Sequence, residues 1–331
     1  MIISRTPFRI SLFGGGTDYP AWVREHGGAV LGMAIDKYCY ISVRHLPPFF
    51  AHSHRIVYSK VELVREIADI QHPAVRGVLT ELGVTRGLEI HHDADLPARS
   101  GLGSSSSFTV GLLNALHALD GQMVTKQELA EKAIHIEQDV LMEAVGCQDQ
   151  IWAAYGGINH IEFHPDCTFE VSPVVLPAAR RTELQKSLML FFTGFSRFAT
   201  DFAKDQVNNL AQRTSQLKTM RQMVAQALSI LRSERTPIRE IGSLLHEAWR
   251  LKRQLADSVS TQQIDEIYEA GLAAGAIGGK LLGAGGGGFI VFFVEPQNRE
   301  RVRERLSKLI HVTFDSDQEG SKIVLYQPNG L

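Results

Sequence analysis

Residues 96–107 read Leu-Pro-Ala-Arg-Ser-Gly-Leu-Gly-Ser-Ser-Ser-Ser, and the fold turns on this stretch. Gly101 and Gly103 let the backbone adopt positive φ and approach a ligand closely. They lead directly into a segment of helical period starting near Ser104, with Phe108, Leu112, Ala115, Leu116 and Leu119 on one face and Gly121 at its end. Free N–H groups and the dipole at a helix start favour an anion, so the segment reads as a phosphate loop. No Gly-Lys-Ser/Thr follows, which excludes ordinary P-loop chemistry, although a serine hydroxyl remains available to magnesium. A serine-rich cap on a glycine turn is the plain alternative.

Two further segments carry more glycine than turns require, Phe-Gly-Gly-Gly-Thr-Asp-Tyr-Pro at 13–20 and Leu-Leu-Gly-Ala-Gly-Gly-Gly-Gly-Phe at 281–289. The latter contains Gly-x-Gly-x-x-Gly at Gly283, Gly285 and Gly288. A helix is expected before it and a strand after it, the reverse of a dinucleotide fingerprint. A close-approach loop is the better reading, with a hairpin-like connection as the alternative.

Around these loops, the first ninety residues show short strand-like runs: IISRT, FRISLF, AVLGMAI, KYCYISV, IVYS and LEIHH. Thr125 with Glu128 forms a capping-box pattern opening a helix that is expected to run through Ile136, Val140 and Leu141 toward Gly146. Strand-like INHIEF and LMLFF follow, then helices over about 199–233, from Thr236-Pro237 onward, and over about 262–274. Strand GFIVFFV, helix NRERVRERLSKL and strand KIVLY close the chain. The layout is α+β without repeats, and a division near residue 180 into 1–180 and 181–331 is expected.

At 331 residues the chain is long enough for two domains sharing a cleft, or for one large domain. Its 44% hydrophobic and 21% charged content is that of a globular protein, and a net charge of -2 offers no global attraction to nucleic acid or anionic membrane. Cys39, Cys147 and Cys167 match neither a disulfide framework nor a zinc knuckle, which points to a reducing compartment. No signal peptide is read at the start, and no apolar run approaches the roughly 18 residues of a membrane span. The expectation is a cytoplasmic protein whose partners are small molecules, with a homodimer left open.

Phosphoryl transfer needs a phosphate cradle, a metal held by oxygen, and a group to orient or deprotonate the attacking hydroxyl. Glu137 lies among Ile134, Ile136 and Leu141 in a predicted helix, which places its carboxylate toward the buried side. Asp149 follows by about one helical body plus a turn, so one acid can serve a metal and the other a substrate hydroxyl; both can equally be solvated or capping acids. The pairs His52/His54, His91/His92 and His160/His164 lack third and fourth ligands nearby and read as surface or strand-face histidines. Arg180-Arg181 and the arginines of 299–305 read as solvated faces, Arg180 keeping a smaller claim on a phosphate.

Taken together, PFRISLFGGGTDYP at 7–20, LPARSGLGSSSS at 96–107 and KLLGAGGGGF at 280–289 resemble, in order, the three motifs of the GHMP kinases. The Glu137–Asp149 interval also resembles that of galactokinases. The resemblance implies an N-terminal domain with an unusual β-α-β arrangement packed on a C-terminal α+β domain, the active site lying between them. ATP and Mg²⁺ are the implied cofactors. Arg99, Ser100, Gly101, Leu102, Gly103, Ser104, Ser105 and Ser106 would wrap the ATP phosphates, and Ser105, or a neighbouring serine, would hold Mg²⁺ with Glu137. Asp149 would be the base or positioning carboxylate, with Arg9 stabilising it and the transferring group.

For the acceptor, the resemblance implies Gly14, Gly15, Gly16, Thr17, Asp18 and Tyr19, with Asp18 on sugar hydroxyls and Gly285, Gly286 and Gly287 closing over the substrate. Galactokinases carry an acid and a histidine just before Thr-Asp-Tyr where this chain has Gly15-Gly16, and fucokinases tend to carry Trp-Ser in place of Gly16-Thr17. The Gly-Gly-Gly-Thr-Asp-Tyr run with FFTGFSRFATDFAKDQ at 191–206 is similar to family members that phosphorylate the anomeric hydroxyl of D-glycero-D-manno-heptose 7-phosphate. A remote phosphate on the acceptor then needs a cation: Arg197, beside Thr193 and Ser196, is the first candidate, with Lys204 and Arg180 behind it. A 1-kinase of an unphosphorylated sugar and a catalytically silent sugar sensor are the alternatives.

Overall fold

The structure, a computed structural model, describes residues 1–195 and 213–328. Ser196, Arg197, Lys204 and the first part of the helix expected from 199 lie outside the described residues.

The runs IISRT and FRISLF form one strand, β1 (Ile2–Phe13), and AVLGMAI and KYCYISV form another, β2 (Gly28–His45). Pro7, between the first pair, does not break the strand: it sits at a register shift between Pro7 and Phe8, where a missing N–H is tolerated. β2 pairs with β1 along its length. Its other edge takes β6 (Ile158–Phe163) beside Gly28–Met33 and β5 (Leu88–Ala94) beside Cys39–His45. With β3 (His54–Val57), β4 (Val61–Val64), β7 (Phe169–Pro173) and β12 (Lys322–Tyr326), these make the first sheet. β12 pairs antiparallel with β1, so the segment beyond residue 180 returns one strand to this sheet.

The second sheet has the order β11-β8-β10-β9, all antiparallel, from β8 (Leu188–Phe192), β9 (Ala276–Leu281), β10 (Phe289–Val294) and β11 (Ile310–Val312). Phe191, Phe292, Trp249 and Tyr268 fill the core beneath it. A helix had been expected to run straight into the third glycine segment. That helix ends at Ala273, and β9 intervenes, so the segment joins two paired strands. The pattern Ala-Ile-Gly-Gly-Lys-Leu hides a strand because glycine disfavours one. Gly278 is there for contact: a Cβ would stand 2.1 Å from the Gly242 carbonyl of the helix Arg239–Arg253.

Helices α1 (Pro20–His26), α2 (Pro73–Glu81), α3 (Ser104–Leu119), α4 (Lys126–His135) and α5 (Gln148–Tyr155) accompany the first sheet. α3 lies across β1, pinned by Ser4 Oγ to the Gly111 carbonyl and Ser107 Oγ to the Pro7 carbonyl, 2.7 and 2.8 Å. The capping box is formed, Glu128 Oε2 accepting from the Thr125 N–H at 2.8 Å. The helix behind it does not reach Gly146. It ends in a π-turn over Ile136–Val140, and α5 begins separately. The chain leaves the helix to pass Asp18, where a Cβ on Gly146 would meet Oδ2 at 1.9 Å. Among the described residues no helix is long and apolar enough to cross a membrane.

Gly278→Ala is expected to cost about 1–3 kcal/mol in urea unfolding, because the added methyl must part β9 from the helix. An unchanged midpoint would show that the two elements separate freely.

Candidate active site

The phosphate loop takes the backbone its glycines suggested: Gly101 and Gly103 have φ of 81° and 77°, and Arg99 also lies in the left-handed region at 59°. Leu102 is buried and anchors the loop, its carbonyl accepting from the Arg9 N–H at 3.0 Å. Ser104 Oγ accepts from the Arg99 N–H at 3.1 Å, and α3 starts there. The third glycine loop interlocks with it. A Cβ on Gly283 would fall 2.5 Å from Gly101 Cα, and one on Gly288 would fall 2.2 Å from the Ser100 carbonyl, which accepts from the Phe289 N–H at 3.1 Å. Thr193 belongs to this interlock: its hydroxyl donates to the Gly288 carbonyl at 2.9 Å and accepts from the Gly288 N–H at 3.2 Å. Gly285 and Gly286 pass Val259, and Gly287 passes Phe195.

Arg9 and Asp149, far apart in sequence, form a fork-to-fork pair. Nε donates to Oδ1 and Nη2 to Oδ2, each at 2.7 Å, while Nη1 donates to the Gly101 carbonyl at 2.5 Å. Such a bidentate ion pair fixes geometry as well as charge. The Arg9 side chain is buried, whereas Asp149 keeps 25% exposure, and Gly103 rides over both.

Asp149 sits between two glutamines whose roles the sequence reading missed. Successive residues on a helix point about 100° apart, and here Gln148, Asp149 and Gln150 reach three different elements. Gln148 Nε2 donates to Asp18 Oδ2 at 2.8 Å and its Oε1 accepts from Ser11 Oγ at 2.7 Å. Gln150 Nε2 donates to Glu137 Oε2 at 2.5 Å. The only signal was their adjacency to Asp149 at the start of an uncalled helix.

Asp18 is 2% exposed, its Oδ1 accepting from the Gly16 N–H at 2.9 Å. Burial raises its carboxyl above the usual range, and the Asp149 charge pushes the same way against the hydrogen bonds. Thr17 is fully buried and serves the backbone: its hydroxyl donates to the Gly14 carbonyl at 2.8 Å and accepts from the Ala29 N–H at 3.1 Å. Tyr19 is buried just before α1, and Gly14 packs on Ala29 and Val224. Gly15 and Gly16 lie beside Gln148 and Leu217.

Glu137, in the π-turn, is 1% exposed and accepts from Ser106 Oγ at 2.8 Å. Of Ser105 and its neighbours, Ser106 is the serine that reaches Glu137; Ser105, one residue earlier on α3, is exposed. Burial pushes the Glu137 carboxyl up to about 8 against these hydrogen bonds, and among the described residues Oε1 is buried without a partner. An unsatisfied carboxylate oxygen and a serine hydroxyl at the mouth of a phosphate loop fit a hard divalent cation, which takes its remaining ligands from phosphates and water. Among the described residues no group of three or more His, Cys, Asp or Glu gathers for a metal.

Arg180 is not placed for a ligand: Nη2 donates to the Ile230 and Thr236 carbonyls at 2.8 and 2.7 Å. Two lysines that the sequence reading passed over, Lys252 and Lys280, are buried close enough to Arg9 and Asp18 to feel their charge.

Residues 63–157 match the family described as GHMP kinases N terminal domain and residues 225–311 match GHMP kinases C terminal. A D-glycero-alpha-D-manno-heptose 7-phosphate kinase of Campylobacter jejuni is 27% identical over 323 residues, 93% of each chain. A galactokinase of Pyrococcus furiosus is 26% identical over 93% of this chain and 94% of its own. Among solved structures, a D-glycero-D-manno-heptose 1-phosphate kinase from Bacteroides thetaiotaomicron superposes with a TM-score of 0.80 at 23% identity, covering 98% of this chain and 99% of that one. A Lactococcus lactis galactokinase with galactose gives 0.73 at 18%, covering 97% and 94%. At those identities the superpositions speak for the fold alone. With both domain families matched in order, the two-domain fold shared, and the loops interlocked over paired Arg9 and Asp149, the chain belongs to the GHMP kinases, enzymes that transfer a phosphoryl group to an alcohol.

Proposed function

We propose that this enzyme transfers the γ-phosphoryl group of ATP to the anomeric hydroxyl of D-glycero-D-manno-heptose 7-phosphate, giving the 1,7-bisphosphate and ADP. The observation that carries the chemistry is the Arg9–Asp149 fork beneath Gly101 and Gly103. The acceptor rests on the likeness to the Campylobacter enzyme and on the Gly-Gly-Gly-Thr-Asp-Tyr run. The reading makes this a cytoplasmic enzyme supplying nucleotide-activated heptose for surface polysaccharide. It keeps a cleft between domains of about 1–180 and 181–331, β12 crossing back to the first.

In this reading the ATP phosphates lie along residues 99–106, against the loop N–H groups and the start of α3. Asp149, held in place by Arg9, takes or steers the proton as the anomeric oxygen bonds to the γ-phosphorus and the bond to the β–γ bridging oxygen breaks. Arg9, already committed to the Gly101 carbonyl, lies where negative charge develops and need not reorganise to meet it. Asp18 and Gln148 set the first-motif loop beside the acceptor. Ser106 and Glu137 would hold Mg²⁺, which supplies neutralisation of phosphate charge.

ADP release in the presence of Mg-ATP is expected with D-glycero-D-manno-heptose 7-phosphate and to be far weaker with galactose or unphosphorylated heptose. Asp149→Asn should lower kcat by about 10²–10⁴-fold with little change in ATP affinity. Equal turnover of plain sugars would discard the heptose phosphate, and undiminished kcat in the variant would discard the role of Asp149. Glu137 gives a pH test. Its folded carboxyl stays protonated up to about 8 while the unfolded one ionises near 4.5, so its contribution to stability falls as pH rises through that window. Without Mg²⁺, Glu137→Gln should gain stability over wild type progressively from pH 5 to 8; with Mg-ATP it should lose at least about 10²-fold in kcat. Parallel pH curves would contradict the burial of this acid.

A further inference from the structure

Lys252 and Lys280 are two buried cations for which the mechanism above has no task. Lys252, on the helix Arg239–Arg253, is 7% exposed and donates to the Leu281 carbonyl at 3.0 Å and to the Gly283 carbonyl. Lys280, on β9, is 4% exposed and donates across the cleft to the Leu12 carbonyl at 3.1 Å, just before the first glycine motif. Among the described residues neither has a carboxylate at ion-pair distance. An ammonium resting on carbonyls alone has given up hydration without gaining an opposite charge, a state proteins rarely keep unless something else uses it.

The surrounding charges are Arg9, Asp18 and the lysines themselves, with Asp149 on Arg9. With both lysines protonated, three cations against two carboxylates leave one positive charge over, and an ammonium has three N–H donors, more than the carbonyls above accept from either lysine. The missing component is an anion rich in oxygen acceptors. Both lysines also fasten the loops such an anion would touch: Lys252 holds the base of the third glycine loop, and Gly283 in that loop meets Gly101.

We propose that Lys252 and Lys280 form with Arg9 a buried cationic floor that takes the charge of a bound phosphate group, either the γ-phosphoryl group in transfer or the phosphate of the acceptor. The proposal rests on the phosphoryl-transfer reading of the site but not on the identity of the sugar. Burial, then repulsion from neighbouring cations, lowers both ammonium groups, Lys280 to about 7, so an arriving phosphate also draws protons onto them.

Lys280→Met and Lys252→Met remove the charge at similar volume. Replacing a buried charge by an apolar side chain is often neutral or stabilising, so a functional cation and a structural strap predict opposite results. The expected result is an unchanged or higher Tm with ligand affinity reduced about tenfold or more, the size of one charged hydrogen bond. Calorimetric Kd values locate the phosphate without turnover, and the nucleotide arm does so independently of the sugar reading. Loss of the preference for a non-hydrolysable ATP analogue over ADP assigns the floor to the transferred group. Normal nucleotide binding with weakened binding of heptose 7-phosphate assigns it to the acceptor. Lowered Tm with all three affinities within twofold of wild type would overturn the proposal and make both lysines straps.

Discussion

A guanidinium can hold a carboxylate through two parallel hydrogen bonds and still have a donor left, and Arg9 uses that third donor on the carbonyl of Gly101. One side chain thereby fixes Asp149 relative to the loop at 99–106, which in the proposed reaction sets the acid at the reacting hydroxyl against the phosphates. Everything else in the site answers to this three-way junction. β1 must deliver Arg9 from its C-terminal half, α5 must start where Asp149 can face it, and residue 103 must take a φ of 77° close over the pair, a backbone that favours glycine.

The rest of the architecture keeps backbones close enough for the junction to form. Gly101 against Gly283, Gly288 against Ser100, and Gly278 against Gly242 are contacts that any Cβ would open. The first two bring the loop between β9 and β10 onto residues 100–101 with no side chains between them, and the third seats β9 on its helix. Asp18, Glu137, Lys252 and Lys280 are charges or latent charges buried around this contact, with Gln148 and Gln150 as neutral spacers. A buried ensemble of this kind costs the empty protein stability, burial raising the Glu137 carboxyl, and in the proposed function ligands of opposite charge relieve it.

Much of this was legible in the sequence where local rules dominate. The glycines at 101 and 103, the serine-rich start of α3 and the capping box at Thr125 fell where propensity and capping put them. Long-range contacts overrode the rest. Pro7 did not divide β1, because its strand partner shifts register there. β9 was hidden by two glycines, Gly278 packed on a helix and Gly279 on β10, and the helix after Thr125 ended in a π-turn that carries Glu137 inward. Of the serines the resemblance left open beside Glu137, Ser106 is the one that reaches it, a choice set by helix rotation that a motif does not show. Lys252 and Lys280 left no signal, since a buried lysine and a solvated one look alike in a sequence.

The central claim is that Arg9 and Asp149 act as one unit. A double-mutant cycle in kcat/KM with Arg9→Met, Asp149→Asn and the pair tests it most directly. Groups that act together are strongly non-additive, so the double variant should be scarcely slower than the worse single one. Losses that multiply in the double variant would show that the two residues work separately and would contradict the account.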